Sequence, residues 1–176
     1  MFNIIVDEEI NLTLADPKYA TKMFQLIDDD RDYLSQWMSW PKLTTKVSDY
    51  EASAKRMLHD YADGKCLPCY IIYKGSLVGT ASFNVIDRSL KRVEIGYWLS
   101  ATYQGRGIVT RVCQQLITVA RNDLDIQKIQ ISVAEENAPS RAVCERLEFD
   151  LEGMIKHAEN INGRIVTHAI YGKILE

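Results

Sequence analysis

Apolar residues change their spacing several times along the chain, and each change marks an element. Over residues 10–15 apolar and polar positions alternate, as in a half-buried strand. Asp16-Pro17 then supplies an N-cap and a proline for a first helical turn, and Ala20, Met23, Phe24 and Ile27 recur at steps of three and four. Residues 31–41 predict a short aromatic helix that Pro41 terminates. Residues 48–64 predict another, with Ser48 as cap, Glu51 completing a capping box and Gly64 as the stop.

The second half reads differently. Residues 70–73, 77–86 and 93–99 form an antiparallel meander joined by Lys74-Gly75-Ser76 and Asp87-Arg88-Ser89 turns. A helix over residues 108–121 buries Val109, Val112, Cys113, Leu116 and Ala120 as one stripe. A strand at 129–133, a helix at 137–147 and two closing strands, 151–155 and 165–174, complete the pattern around the turn Asn162-Gly163-Arg164. With no repeat or linker, the 176 residues predict one α/β domain, residues 1–176, in which a mixed sheet is flanked by helices.

Composition mainly excludes. A net charge of −3 argues against a nonspecific grip on nucleic acid, which rewards a concentrated positive field. The N-terminus lacks a basic n-region, and no apolar run is long enough to span a bilayer, so a cytoplasmic protein with no membrane partner is expected. Cys66, Cys69, Cys113 and Cys144 are then thiols. Cys66-Leu67-Pro68-Cys69 lacks the second ligand pair of a zinc site, and Cys69 opens a strand where a redox motif opens a helix; no metal is expected.

The chemistry concentrates in Gln104-Gly105-Arg106-Gly107-Ile108-Val109-Thr110, set between strand signal and helix signal. Such a loop aims free N–H groups and the positive end of a helix at one point, and its glycines let an anion approach the backbone. A phosphate-bearing ligand is implied. The run is neither G-x-x-x-x-G-K-[ST] nor G-x-G-x-x-G, because Thr110 stands where a third glycine belongs. With Glu94-Ile95-Gly96-Tyr97-Trp98-Leu99-Ser100 before it, the segment instead resembles the Q-x-x-G-x-[GA] pyrophosphate loop of the GCN5-related N-acetyltransferases (GNAT), in particular the RimJ/RimL-type branch that modifies ribosomal-protein N-termini. Val109 departs from the small residue usual at its position. Residues 135–149, from Glu135-Glu136-Asn137 to Phe149, resemble the family's second block.

The resemblance implies the GNAT fold, a central mixed, mostly antiparallel twisted sheet of about seven strands flanked by helices, and acetyl-CoA as co-substrate. It assigns the cofactor to Tyr97, Trp98 and Leu99, to residues Gln104, Gly105, Arg106, Gly107, Ile108, Val109 and Thr110, and to Asn137 and Cys144. It implies that the Leu99 N–H polarises the thioester, that Ser140 is the acid for the departing thiolate, and that Glu159 is the base for the amine. His157 is a rival base and Cys144 a fallback acid. Tyr33, Trp37, Trp40 and Tyr70 are expected on the acceptor side, the first three also suiting plain core packing.

Acceptor identity stays open at this level. A glutamate base suits an α-amine near pKa 8 better than a lysine amine near 10.4, which favours a protein N-terminus over a polyamine, aminoglycoside or other small amine. A CoA-binding sensor without turnover is the alternative of another class. Homodimers are common among such proteins.

Overall fold

Alternation at residues 10–15 becomes β2 (Ile10–Leu14), and a short strand ahead of it, β1 (Asn3–Ile5), pairs with it antiparallel. The computed structural model describes residues 3–175. In the remaining chain order come α1 (Ala20–Asp29), α2 (Arg31–Leu34), α3 (Val47–Ala62), β3 (Leu67–Tyr73), β4 (Ser76–Asp87), β5 (Arg92–Leu99), α4 (Ile108–Leu124), β6 (Lys128–Ala134), α5 (Ala138–Arg146), β7 (Asp150–Ile161) and β8 (Arg164–Ile174). The eight strands form one sheet in the order β1-β2-β3-β4-β5-β6-β8-β7, antiparallel throughout except where β5 meets β6.

Helices cover both faces. On one, the apolar stripe of α4 (Ile108, Val112, Cys113, Leu116, Ile117, Ala120) and the inner side of α5 (Val143, Cys144) pack on Ile71, Phe83, Ile95, Ile131 and Tyr171. On the other, Ala20, Met23 and Ile27 of α1 and Tyr50 and Ala54 of α3 enclose Leu34, Tyr70 and Trp98. Each fully buried aliphatic side chain contributes roughly 1.5–3 kcal/mol against its exposed state. No helix among the described residues is long and apolar enough to cross a membrane.

Several local expectations shift for identifiable reasons. Asp16 caps a 3-10 turn, Pro17–Tyr19, accepting from the Lys18 N–H at 2.9 Å, and the α-helix starts only at Ala20. Pro41 does not end an aromatic helix: α2 stops at Leu34, and Pro41 lies inside a later 3-10 turn, Trp40–Lys42, where its missing N–H costs nothing. α3 begins at Val47, because the Asp49 carboxylate takes the N–H groups of Thr45 and Lys46 at 3.0 and 3.1 Å and displaces Ser48 and Glu51 from the cap. The closing strands are longer than expected, twelve and eleven residues, so Glu159 sits within a strand rather than in a turn. The four cysteines are buried free thiols.

Candidate active site

β5 and β6 are hydrogen-bonded only from Arg92↔Lys128 to Glu94↔Gln130. Beyond that point β5 stays with β4 as far as Leu99↔Gly79, and β6 stays with β8 as far as Ala134↔His168, so the sheet opens as a wedge. The Ser100 N–H donates to the Val78 carbonyl at 2.8 Å, which makes Leu99 and Gly79 a pair that exchanges no bonds of its own. By the alternation of an antiparallel ladder, Tyr97 and Ala81 are another such pair. The N–H and C=O of Tyr97 and Leu99 therefore point away from β4, into the wedge.

At the end of β5 the chain passes a 3-10 turn, Ala101–Tyr103, into the glycine loop. Gly105 and Gly107 have φ of +73° and +70°, and no atom lies within 4 Å of where a Cβ would stand on either. That conformation favours glycine, and the open space lets a ligand lie against the backbone. Gly107 is the N-cap of α4, leaving the N–H groups of Ile108, Val109 and Thr110 without intrahelical acceptors at the positive end of the helix. Arg111 is neutralised by Asp7 and Glu9 at 2.8 and 3.0 Å, whereas Arg106 and Arg146 have no carboxylate partner among the described residues. Arg146 instead donates to Thr110 Oγ1 at 2.9 Å, tying α5 to the first turn of α4.

The wedge, the loop and the face under α3 form one cavity of about 1450 Å³. Tyr97, Trp98, Leu99, the whole run from Gln104 to Thr110, Asn137, Ser140, Glu159, Tyr33, Trp37 and Trp40 all line it. Asn137 caps α5, its Oδ1 accepting the Ser140 N–H at 3.2 Å, and this places Ser140 on the wedge side of the first turn. The Ser140 Oγ lies 2.9 Å from the Tyr97 hydroxyl, and burial pushes that phenol far above its ordinary pKa, so it is a neutral hydroxyl. On the far wall the Trp40 and Trp98 rings meet at 6.0 Å, and the Gln104 amide donates to the Tyr33 hydroxyl.

Glu159 reaches the cavity through a bulge. Ile155 pairs with His168 and Glu159 with Val166, so Lys156, His157 and Ala158 together oppose Thr167 alone. The three bulged residues bow outward, with His157 at φ +53° and exposed, while Glu159 turns inward to stand 3.2 Å from His168 Nε2. His157 thus does not face the cavity. Two other expected contacts are also displaced behind the wall. Tyr70 is 1 % exposed, its hydroxyl bonded to that of Tyr50 at 3.1 Å, because β3 is a central strand covered by α1 and α3. Cys144, one turn beyond Ser140, is fully buried in the core beneath α5 and does not line the cavity, and burial pushes its thiol up to about 12.

The sequence reading missed His168, Glu94 and Arg146, all of which line the cavity. For Arg146 there was a faint signal, a basic residue two turns beyond Ser140 in the second block. His168 gave none, since its meeting with Glu159 depends on a bulge that strand periodicity does not announce.

Comparison with known proteins agrees with this geometry. The putative ribosomal N-acetyltransferase YdaF of Bacillus subtilis is 33 % identical over 93 % of this chain and 90 % of its own. The solved structure of RimL, a ribosomal L7/L12 alpha-N-protein acetyltransferase, in complex with coenzyme A superimposes with a TM-score of 0.96 at 29 % identity, covering 99 % of this chain and 98 % of that one. The microcin C7 self-immunity acetyltransferase MccE, solved with acetyl-CoA and AMP, gives 0.93 at 34 % identity over 97 % and 94 % of the two chains. The family model described as Acetyltransferase (GNAT) domain matches residues 10–150, and with the splayed strands and the glycine loop this establishes that the chain belongs to the GNAT acetyltransferase family.

Proposed function

We propose that the chain transfers the acetyl group of acetyl-CoA directly to the α-amino group of a protein N-terminus, a ribosomal protein being the first candidate. The observation that carries this reading is the cavity's continuity: a phosphate seat at one end, free backbone donors at the splay, and Glu159 with His168 at the other. YdaF and RimL, described as acting on ribosomal proteins, support the choice of acceptor.

Acetyl-CoA supplies an acetyl thioester whose carbonyl carbon the amine attacks. The open loop 104–110, with its Cβ-free glycines and unpaired N–H groups, suits the diphosphate, and Asn137 and the edge of β5 suit the pantetheine arm. The Leu99 N–H donates to the carbonyl oxygen as negative charge builds there. Glu159, backed by His168, takes the proton that the amine nitrogen sheds. As the carbon–sulfur bond breaks, the Ser140 hydroxyl, hydrogen-bonded to Tyr97, relays a proton to the sulfur, passing on its own and taking one from solvent in the open cleft. No acyl-enzyme is needed, and Cys144, buried and held as a thiol, is no nucleophile.

A small amine is the second reading, favoured by the likeness to MccE, whose structure holds AMP beside acetyl-CoA. The test is thiol release from acetyl-CoA with a panel of peptides bearing free or blocked N-termini, polyamines, aminoglycosides and aminoacyl nucleotides, with mass spectrometry of the products. Release that needs a free peptide N-terminus supports the first reading, and release with small amines alone replaces it with the second.

A further inference from the structure

The segment after α2, residues 35–38, crosses from the glycine loop to the tip of the β7–β8 hairpin. At its near end the Gln104 amide donates to the Tyr33 hydroxyl, and the Ala101 N–H donates to the Asp30 carboxylate at 3.1 Å. At its far end Asn162 Nδ2 donates to the carbonyls of Ser35 at 2.9 Å and Met38 at 3.4 Å. Arg164 donates to the Gln36 carbonyl and to the Glu136 carboxylate at 2.7 Å, and its guanidinium carbon lies 5.6 Å from the centre of the Trp37 ring. Carbonyls beyond the end of α2 have no helical donor, so the hairpin supplies what the local backbone lacks. The segment is a strap over the acceptor side of the wedge, and its far anchor begins three residues past Glu159.

We propose that Asn162 and Arg164 are positioning residues for the acceptor: by gripping the strap they fix Trp37 and Met38 as the acceptor wall and so set the affinity for the amine substrate. This rests on reading the cleft as the site of acetyl transfer. The Arg164–Glu136 pair is largely exposed and weak by itself, so the grip lies in the guanidinium engaging a carbonyl, a carboxylate and a ring face together. A lysine carries the charge and cannot span the three. Asn162 has φ +54°, a conformation glycine also accepts, so Asn162→Gly removes the amide donor without straining the turn.

The experiment compares wild type with Asn162→Gly/Arg164→Ala, Arg164→Lys and Glu136→Gln by amide hydrogen exchange, acetyl-CoA titration and steady-state kinetics with whichever amine the wild type acetylates. In the double variant, exchange quickens at residues 35–38, the acceptor KM rises about tenfold and the acetyl-CoA Kd stays within about twofold. Arg164→Lys raises the acceptor KM as well, whereas Glu136→Gln leaves it within about twofold. Unchanged exchange at 35–38, an unchanged acceptor KM, full rescue by lysine, or equal losses in both substrates with faster exchange throughout the chain would each overturn the proposal. Should the wild type acetylate no amine, the acetyl-transfer reading fails, and exchange at 35–38 alone decides whether the hairpin holds the strap.

Discussion

The Tyr97 hydroxyl stands 2.9 Å from Ser140 Oγ and 3.2 Å from the Ser140 carbonyl, joining strand β5 to helix α5 across the wedge. A phenol from the strand thus sits beside the serine proposed to protonate sulfur. Ser140→Ala is expected to lower kcat by about 10²-fold, within the range of lost acid–base catalysis. Tyr97→Phe keeps the packing and removes both hydroxyl contacts with Ser140, for a loss of about threefold to tenfold. Thiol release at saturating acetyl-CoA measures both, and a Ser140→Ala enzyme with unchanged kcat would remove serine from the mechanism.

Glu159 and His168 make the second pair. Glu159→Gln is expected to cost about 10²-fold in kcat/KM for the acceptor at neutral pH. An α-amine near pKa 8 sheds its proton unaided as pH rises, so the deficit shrinks toward about pH 9. His168→Ala should give a smaller loss with the same narrowing. Parallel pH profiles for wild type and Glu159→Gln would show that the carboxylate is not the base.

Gly79 decides where β5 can lie. A Cβ built there would stand 2.2 Å from the Trp98 carbonyl oxygen and 2.9 Å from the Leu99 Cα, both backbone atoms that cannot swing aside. Gly79→Ala is expected to cost about 1–3 kcal/mol of stability, in line with overpacked cores, and to displace the Leu99 N–H. Urea unfolding measures the first effect. A kcat reduced more than the KM for acetyl-CoA would report the second.

Buried thiols make the protein sensitive to alkali. Burial pushes Cys69 and Cys144 up to about 12, above the roughly 8.5 of an unfolded thiol. The native state therefore holds these protons more tightly, a contribution complete below about pH 8.5 and lost progressively as pH rises toward the folded values. The melting temperature should decline above about pH 8.5, and less steeply in Cys69→Ala/Cys144→Ala. Identical slopes in the two proteins would assign the alkaline loss to other groups.

Where local chemistry alone shapes the backbone, the sequence was enough. Gly105 and Gly107 read as a loop of unusual dihedrals open to an anion, and the structure gives φ of +73° and +70°, which few other residues tolerate. Most of the stripe on α4 followed likewise from helical period. Less legible were Pro41, which fits a helix end and a helix start equally well, and Tyr70, whose amphipathic side chain suits a pocket wall as readily as the buried contact with Tyr50 that it makes.

By itself, then, the sequence determined most of the elements, the glycine loop between strand and helix, and the family, since each depends on residues adjacent in the chain. Tertiary structure decided what depends on register between distant strands. The ladder between β5 and β6 stops at Glu94↔Gln130, and only that interruption frees the Leu99 N–H. Three residues of β7 oppose one of β8, which turns Glu159 toward His168 and His157 toward water. A side chain's direction in a strand reverses with every residue, so one unannounced bulge moves a carboxylate from one face to the other, and no local pattern records it.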